Sequence, residues 1–541
     1  MSGGRAFADP VPRDAPGARE IGFAVPERYN ASAILFDNLD RGFGARPALY
    51  HAAGSVSYAD LCADAARAGR ALAAEGLAPG DRVLILLDDT PAYPAAFFGA
   101  VRAGFVPVLV NVLSPADLVA YFLTDSAASV AIVEAALLPV LREALTEDAP
   151  ALRRVVVANG AALDGLLLPA AAWNGWLAPH APRLDAAPTG RDDMAFWMYS
   201  SGSTGRPKGV VHLQHDMLYT HLSYARAFLS LGPDDICFSV PKVFFAYGFG
   251  NSVTFPFAVG ASAVLLSGRP EPAGIFAAIE RHRPTVFFGL PTLYNALVAH
   301  PGSADCDLSS LRLCISAAET LPAETFETWR RRYGHAIVEG LGSTEVLHIY
   351  LSNPTDAPRA GSAGQRVPGY DIRLVDPEGR DVNGAGAGTM WVRGDSQAPA
   401  YWNRPESTAA TMRGDWIHTG DRFRRDADGY YWFEGRADDL VKVSGQWVHP
   451  MEIELCLAAH PDVHECAVLA VAAASGLTTI RAFVVARPGA ATDAAATRAL
   501  QDWVKARLLP YKYPRGIVWV ADLPKTGTGK IDRQALKTRS G

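Results

Sequence analysis

The sequence predicts an α/β protein with a large N-terminal domain of parallel α/β subdomains and a small β subdomain, followed by a small α+β C-terminal domain. Three observations predict this. Apolar runs of strand length alternate with helix-length segments over most of the chain, as in a parallel sheet covered by helices. From about residue 361, short strands are separated by Gly and Asp-Gly turns, which indicates a compact β region. After residue 436, helices and strands mix again.

The expected strands of the large domain are apolar runs, and helix-length segments lie between them. Strands are expected at residues 82–87, 105–110, 129–133, 261–266 and 285–288, and helices at residues 91–103, 135–145 and 272–281. The β region has expected strands at residues 370–375, 388–393 and 429–434. The last part of the chain has expected helices at residues 451–459 and 497–508 and expected strands at residues 463–471, 481–486 and 516–520.

The domain boundaries follow from these changes of pattern. Residues 1–24, which are rich in Gly, Pro, Arg and Asp, are expected to form a flexible leader without the apolar core of a signal peptide. Residues 25–436 are expected to form the N-terminal domain, with its β subdomain at about residues 361–436, and residues 437–541 the C-terminal domain.

Composition narrows the class of protein. The chain has 541 residues, 49% of them hydrophobic and 20% charged, which is typical of a globular enzyme. Its net charge of −6 gives no reason to expect the basic surface that binds nucleic acid. No apolar run reaches the ~20 residues of a membrane-spanning helix. The 6 cysteines form no CxxC pair and are expected to be reduced thiols. A cytoplasmic enzyme with no nucleic-acid or membrane partner is therefore expected.

A loop rich in glycine and hydroxyl residues is the first candidate for chemistry. Residues 199–209 read YSSGSTGRPKG and follow an apolar run at residues 195–199. Small residues free the backbone to point N–H and O–H donors at phosphate oxygens, and Arg206 and Lys208 add positive charge. The loop is not a P-loop, because Gly209 follows Lys208 where that motif needs Ser or Thr. The later GTGK fails too, since Ile531 follows Lys530.

The loop resembles the phosphate loop of the adenylate-forming superfamily, which includes acyl-CoA synthetases, luciferases and peptide-synthetase adenylation domains. Further segments resemble the other motifs of that family in the same order: SAAET at 316–320, EGLGSTE at 339–345, WIHTGD at 416–421, GRADDLVKVSGQWVHPMEIE at 435–454 and PKTGTGKIDR at 524–533. The ordered series covers nearly the whole chain, so the chain is identified as a member of this superfamily. The implied activity is ATP-dependent formation of an acyl-AMP, followed by transfer of the acyl group to a thiol.

The resemblance implies a role for each matching residue. Lys530 is the expected cation at the α-phosphate and the acyl carboxylate, where charge develops during adenylation. Glu345 is expected to help to hold Mg²⁺, a hard cation that is typically bound by one or two carboxylates together with the phosphates of the substrate. Asp421 is expected to bind both ribose hydroxyls, and Arg436 to reinforce ribose or phosphate binding. The expected nucleotide-binding residues are Ser200, Ser201, Gly202, Ser203, Thr204, Gly205 and Lys208 for phosphate, Thr204 also being catalytic, and Ala317, Ala318, Glu319, Glu339, Gly340, Leu341, Gly342, Ser343 and Thr344 for adenine.

The resemblance also implies a mobile C-terminal domain that turns about a hinge at Asp438 between two half-reactions. Lys530 would then leave the site, and the segment 442–448 would arrive. Lys442 is expected near the AMP phosphate in the second step, and Gly445 is expected to let the pantetheine arm of coenzyme A pass close to the backbone. Tyr511, Lys512 and Arg515 lie where relatives bind the nucleotide end of coenzyme A. The expected cofactors are therefore ATP, Mg²⁺ and coenzyme A.

The acid is expected to be small and aromatic. PKVFFAYGFGN at 241–251, GSTEVLHIYLSN at 342–353 and VSGQWV at 443–448 most closely resemble benzoate–CoA ligases. The implied pocket walls are Tyr247, Leu290, His348 and Ile349, with Ala246 leaving room, and bulky walls favour a compact flat acid. His348 is expected either to polarise the carboxylate or to accept from a ring substituent, or to be a core histidine. Ring substituents stay open between benzoate, aminobenzoate, hydroxybenzoate and halobenzoate.

Two departures from the family pattern and three rival functions stay open. Leu341 stands where many members have an aromatic residue against adenine, and Ser444 stands where others have glycine. The rivals are an aryl-acid adenylating enzyme that loads a separate carrier protein, a medium-chain acyl-CoA synthetase and a non-catalytic binding protein. The oligomeric state is open, with a homodimer compatible with the sequence.

Overall fold

The computed structural model describes most of the chain, which divides into two compact units. The described residues are 16–145, 151–160, 163, 165–166, 168–200, 206–319, 321–437, 441–443, 446–448, 450–472, 478–509, 512–525 and 531–539. The large unit comprises Met1–Ile372 and Trp391–His418, and the small unit comprises Arg373–Met390 and Thr419–Gly541.

Strands and helices alternate through the large unit, as the sequence predicts. Its strands are β1 (Pro47–His51), β2 (Gly54–Ser57), β3 (Arg82–Leu86), β4 (Val106–Leu109), β5 (Val130–Glu134), β6 (Arg154–Ala158), β7 (Ala170–Ala172), β8 (Met194–Ser200), β9 (Lys208–Leu213), β10 (Ile236–Ser239), β11 (Ser262–Val264), β12 (Val286–Gly289), β13 (Leu313–Ala317), β14 (Ile337–Gly342), β15 (Ile349–Ser352) and β16 (Gln365–Arg366). Its α-helices are α1 (Pro16–Glu20), α2 (Ala33–Asp40), α3 (Tyr58–Ala74), α4 (Ala92–Arg102), α5 (Ala116–Ser126), α6 (Leu138–Ala144), α7 (Trp173–Leu177), α8 (Asp216–Thr220), α9 (Ala246–Phe249), α10 (Phe255–Val259), α11 (Pro272–His282), α12 (Pro291–Ala299), α13 (Ala323–Tyr333) and α14 (Pro405–Thr411).

These strands form two mainly parallel sheets. The seven-stranded sheet has the order β7-β6-β5-β3-β4-β8-β9, and the nine-stranded sheet has the order β16-β15-β14-β13-β12-β10-β11-β1-β2. Their central strands are runs of aliphatic and aromatic residues with almost no exposed surface, as expected for parallel strands covered on both faces. The predicted α/β class is therefore confirmed.

Local sequence explains how the helices begin and pack. Ser57 caps the start of α3 by accepting a hydrogen bond from the Asp60 N–H at 3.1 Å. Helices α3 and α4 cross where Gly69 faces Gly99. A Cβ atom on Gly69 would lie 2.6 Å from the Gly99 carbonyl oxygen, so the small residues allow this close contact.

The small unit and the segments next to it hold the remaining elements. They are β17 (Asp371–Val375), β18 (Gly386–Arg393), β19 (Met412–Arg413), β20 (Trp416–Arg425), β21 (Tyr431–Arg436), β22 (Val441–Val443), β23 (Gln446–Val448), α15 (Pro450–Ala458), β24 (Val463–Ala472), β25 (Thr478–Ala486), α16 (Ala494–Lys505), β26 (Gly516–Trp519) and α17 (Arg533–Arg539). Strands β24, β25 and β26 form a sheet whose apolar face packs with Ile453, Leu457 and Leu500. Nowhere in the described ranges is there a helix with the length and apolar composition needed to cross a bilayer.

All 6 cysteines are free thiols, as the sequence predicts. Cys62, Cys237, Cys314 and Cys466 are buried. Burial raises the pKa of Cys62 and of Cys314 to about 12, and it raises the pKa of Cys237 as well. The thiols in the core therefore stay protonated at neutral pH.

Candidate active site

Four parallel strands of the nine-stranded sheet end at the same edge, and predicted site segments follow each of them. β10, β12, β13 and β14 run in parallel, with Gly289 opposite Ser316 and Ala317 opposite Gly340. In open α/β sheets, ligands bind beyond the carboxyl ends of the strands. The segments that leave this edge are residues 240–247, Leu290, residues 318–319 and residues 343–345. The fold therefore brings together motifs that are up to about a hundred residues apart.

The phosphate loop is the turn between β8 and β9, whose ends Ser200 and Lys208 lie opposite each other. The Tyr121 hydroxyl donates to the Pro207 carbonyl oxygen at 2.8 Å. The Lys208 ammonium lies 5.1 Å from the centre of the Tyr401 ring. The C-terminal end of the loop is thus contacted by α5 and by the segment that contains Tyr401. Ser201, Gly202, Ser203, Thr204 and Gly205 lie outside the described residues.

Glu345, the predicted metal ligand, lies beside the first residue of this loop. Ser200 Oγ donates to its Oε1 at 3.4 Å, and the Tyr401 hydroxyl donates to the same oxygen at 2.8 Å. The backbone carbonyl of Glu345 accepts from the Ala398 N–H at 2.7 Å. The carboxylate is therefore held at the phosphate loop by groups from two other segments.

The peptides on both sides of Glu345 are also held. The Nε2 atom of His212 lies 2.9 Å from the Thr344 carbonyl oxygen, and its Nδ1 lies 2.8 Å from Asp216 Oδ2. The hydroxyl of Ser396 donates to the Val346 carbonyl oxygen at 2.9 Å. All three side chains are buried. Such hydrogen bonds fix the direction of the carboxylate before a ligand binds.

The loop that supplies Ala398 and Tyr401 is anchored by a buried histidine. His215 has Nδ1 at 2.9 Å from the Arg191 carbonyl oxygen and Nε2 at 2.8 Å from the Asp395 carbonyl oxygen. Carbonyl oxygens only accept, so both ring nitrogens carry protons. Burial opposes this charge, but the hydrogen bond to Asp395 and the nearby Asp216 raise the pKa of His215 to about 9.

Two residues in or next to the motifs have positive φ angles although they are not glycine. Ala318, just after β13, has φ of 75°, and Leu347, at the end of the 3-10 turn Thr344–Val346, has φ of 69° and ψ of −32°. Such conformations cost of order 1–3 kcal/mol each and cluster at active sites. These positions, at the predicted adenine and metal residues, agree with an active site at this edge of the sheet.

The residues that are present fit Mg²⁺ bound together with a nucleotide. No cluster of three or more His, Cys, Asp or Glu side chains that could hold a metal ion occurs among the described residues. Glu345 instead offers one carboxylate next to a phosphate loop. Mg²⁺ is typically held by one or two carboxylates, water and the phosphates of its substrate, so this donor set is sufficient.

The two predicted adenine segments lie side by side at the strand edge. Glu339 lies opposite Ser316 in the register of β13 and β14. A Cβ atom on Gly342 would lie 2.4 Å from the His348 carbonyl oxygen, so only glycine fits there. The hydroxyls of Ser316 and Ser343 are buried without a hydrogen-bond partner in the described part of the chain. The segments contain Ala317, Ala318, Glu319, Gly340, Leu341 and Thr344.

Replacing Glu339 with glutamine is expected to change the pH dependence of stability. Burial raises the pKa of Glu339 from 4.5 to about 8. Between these values the folded chain holds a proton that the unfolded chain has lost, so stability falls by up to about 1.4 kcal/mol per pH unit as the pH rises. Urea unfolding of both proteins at pH 5.5 and 7.5 measures this, and the variant is expected to lose most of the slope. An equal slope in both proteins would show that Glu339 is ionised when folded.

The predicted acid pocket contains two aromatic side chains in contact. The Nε2 atom of His348 lies 3.3 Å from the Tyr247 carbonyl oxygen, and the two ring centres are 5.7 Å apart. His348 is buried, and burial lowers its pKa to about 3, so its ring is neutral. Gly250 makes room for this ring, because a Cβ atom there would lie 2.3 Å from His348 Cδ2. Nearby at the same strand edge lie Ala246, Leu290 and Ile349.

In the small unit, two residues that are predicted to bind the nucleotide contact each other. Arg436 Nη1 donates to Asp421 Oδ1 at 3.0 Å, with the two residues opposite each other on β20 and β21. Lys512 donates to Glu452 at 2.5 Å, and the Arg515 guanidinium lies 4.0 Å from the Tyr513 ring centre. Lys442 lies on β22, but only its backbone is described. The predicted residues Asp438, Gly445, Tyr511 and Lys530 lie outside the described residues.

The structure adds three residues that the sequence analysis did not assign. Tyr401 contacts Glu345, and His212 and Asp216 hold the peptide before it. The signal available in the sequence was the His and Asp pair four residues apart, directly after the phosphate loop. Tyr401 gives no such signal, because its partner lies 56 residues away.

Comparison with known proteins gives matches over nearly the whole chain. Residues 36–402 match the model of the AMP-binding enzyme family, and residues 452–530 match its C-terminal domain. The benzoate–CoA ligase of Thauera aromatica is 44% identical over 95% of this chain and 97% of its own length.

Two solved structures are also similar. The anthranilate CoA ligase AuaEII, in complex with anthranoyl-AMP, superposes with a TM-score of 0.88 at 37% identity, covering 95% of this chain and 98% of its own. A benzoate CoA ligase from Burkholderia xenovorans LB400 superposes with a TM-score of 0.86 at 40% identity, covering 94% of this chain and 100% of its own.

Proposed function

The chain belongs to the AMP-binding enzyme family, and we propose that it is an AMP-forming ligase that joins benzoate or a small derivative of it to coenzyme A. The observation that supports this most directly is the contact between Tyr247 and His348. His348 follows Glu345 closely in the chain, at the same edge of the nine-stranded sheet. One buried and one half-buried ring without a net charge suit a flat apolar acid. The relatives reported above are ligases of benzoate or anthranilate.

The first half-reaction joins the acid to AMP. A carboxylate oxygen of the acid attacks the α-phosphorus of ATP, and pyrophosphate leaves. Ser200 and Lys208 hold phosphate oxygens, with Ser201, Ser203 and Thr204 as further donors. We assign Lys530 to the α-phosphate, where the charge of the transition state develops. When Mg²⁺ is bound by Glu345, it neutralises phosphate charge.

The second half-reaction transfers the acyl group. The sulfur of coenzyme A attacks the acyl carbonyl carbon, and AMP leaves. We assign Asp421 and Arg436 to the ribose, since their 3.0 Å contact presents a carboxylate that is already oriented. Lys442 is assigned to the AMP phosphate, Gly445 to the path of the thiol arm, and Lys512 and Arg515, with Tyr511, to the nucleotide end of coenzyme A. The hinge is assigned to Asp438.

The cellular setting is part of the proposal. ATP and coenzyme A are intracellular substrates, and reduced cysteines suit the cytoplasm. A net charge of −6 gives no reason for a nucleic-acid partner. A homodimer is compatible with this function, because each chain carries all of the assigned residues.

An acid panel tests the function. With ATP, Mg²⁺ and coenzyme A held constant, AMP release is measured for benzoate, for its amino, hydroxy and halo derivatives, and for hexanoate. We expect kcat/KM for benzoate or a monosubstituted derivative to exceed that for hexanoate by at least ten-fold. A preference for hexanoate would favour a medium-chain acyl-CoA synthetase, and AMP release that needs a carrier protein instead of coenzyme A would favour a carrier-loading enzyme.

A further inference from the structure

A lysine in the predicted acid-binding segment makes an ion pair that the two half-reactions do not use. Lys242 Nζ lies 2.8 Å from Asp88 Oδ1 and 3.8 Å from Asp89 Oδ2. It also donates to the Leu266 carbonyl oxygen at 2.7 Å. The lysine side chain is 13% exposed and that of Asp89 is 1% exposed, so solvent screens this pair little.

The next residue along the chain, Val243, is tied to the same neighbours by both of its backbone polar groups. Its N–H donates to Asp89 Oδ1 at 3.1 Å. Its carbonyl oxygen accepts from the Tyr93 hydroxyl at 3.3 Å. Burial raises the pKa of Asp89 to about 7 while Lys242 opposes this rise, which indicates that the carboxyl depends on these two partners.

These contacts join the two large sheets. Asp88 and Asp89 follow β3 of the seven-stranded sheet, whereas Lys242 follows β10 and Leu266 follows β11 of the nine-stranded sheet. The ion pair therefore sits at the point where the carboxyl ends of strands from both sheets meet. A residue at such a junction fixes the distance between the sheets as well as its own loop.

The fixed loop leads directly into the acid-binding segment. The Lys242 carbonyl oxygen accepts from the Phe245 N–H at 3.1 Å. A Cβ atom on Gly248 would lie 2.1 Å from that same oxygen, so the first turn of α9 packs directly against it. A shift of Lys242 is therefore passed on to Ala246 and Tyr247, which begin α9.

We propose that Lys242 and Asp89 are positioning residues that set the place of Ala246 and Tyr247 in the acid pocket and thereby control affinity for the carboxylic acid. The proposal rests on the proposed function, in that it takes these two residues as pocket walls. It does not involve the groups that hold ATP, which lie after β8, β13 and β14.

Steady-state kinetics of Lys242→Met and Asp89→Asn test the proposal. Both variants are expected to raise KM for benzoate by ten-fold or more, whereas KM for ATP changes less than two-fold. Asparagine keeps an acceptor for the Val243 N–H, so Asp89→Asn is expected to raise KM for benzoate less than Asp89→Ala does. The matched control is Asp235→Asn, which breaks a pair with Arg312 (2.7 Å) just before β10, at the other end of the strand. The control is expected to lower thermal stability without changing KM for benzoate.

The outcomes separate this inference from the proposed function. The positioning role is wrong if the wild type releases AMP with benzoate but the variants keep the wild-type KM for benzoate. It is also wrong if the variants raise KM for benzoate and KM for ATP equally. If Lys242→Met does not fold, the test uses Asp89→Asn, provided that its melting temperature equals that of the wild type. A KM for benzoate that rises well above the change in KM for ATP supports the positioning role in this variant, and a KM for benzoate that does not overturns it. A wild type that releases no AMP with any acid in the panel overturns the proposed function, and the positioning role for an acid falls with it.

Discussion

Replacing Lys530 with alanine is expected to slow acyl-AMP formation by about 10²- to 10³-fold and to leave thioester formation from supplied benzoyl-AMP within a few-fold of the wild type. The reason is that this lysine is assigned to the α-phosphate only in the first half-reaction, whereas Lys442 is assigned to the AMP phosphate in the second. The first rate is measured as pyrophosphate release from ATP and benzoate. The second is measured as benzoyl-CoA formed from synthetic benzoyl-AMP and coenzyme A.

A lysine in the same segment provides the control. Lys525 pairs with Glu465 and is expected to tolerate replacement by alanine with little change in either rate. Lys442→Ala is expected to show the opposite bias from Lys530→Ala, with a slower second half-reaction. If both half-reactions fell equally in folded Lys530→Ala, the alternation of two faces of the C-terminal domain would be wrong.

Replacing Glu345 with alanine is expected to slow pyrophosphate release by about 10²- to 10³-fold and to raise the Mg²⁺ concentration needed for half-maximal rate. The carboxylate is expected to help to hold the ion, and it already accepts hydrogen bonds from Ser200 and Tyr401, while the Glu345 backbone carbonyl accepts from the Ala398 N–H. The measurement is the initial rate of pyrophosphate release across a Mg²⁺ titration at constant ATP.

Tyr401→Phe separates the carboxylate from its support. It removes one hydrogen bond to a charged oxygen but keeps the metal ligand, and such a bond is worth about 1.5–3 kcal/mol. The expected loss is therefore about 10- to 100-fold, smaller than for Glu345→Ala, with the Mg²⁺ requirement raised in the same direction. For the Glu345→Ala variant, an unchanged Mg²⁺ concentration for half-maximal rate in the folded protein would show that the metal is bound elsewhere.

Most of the fold could be predicted from the sequence because its signals are local. The strands at residues 82–86 and 286–289 are apolar runs too short for helices, and the segments between strands have helical length. Differences are confined to the ends of elements. The expected helix at residues 135–145, for example, is a 3-10 turn at Ala135–Leu137 followed by α6. Such ends depend on neighbouring packing and not on the run itself.

The candidate site could be predicted only where it is made of motifs. Glu345 and Ser200 belong to two motifs that the sequence identifies, although their contact joins segments that follow strands of two different sheets. Tyr401 and the pair of Lys242 with Asp88 could not be predicted, because their contacts join residues separated by 56 and 154 positions. No periodicity or spacing reports contacts of that kind, and they depend on how loops pack after the sheets have formed.

The buried thiols acquire a chemical meaning once the product of the first half-reaction is considered. An acyl-AMP is a mixed anhydride that acylates any thiolate within reach. Cys237 and Cys314 lie on β10 and β13, two of the strands that end at the active site. Their raised pKa values keep them as thiols, which are poor nucleophiles. These two thiols are therefore expected not to be acylated by the intermediate.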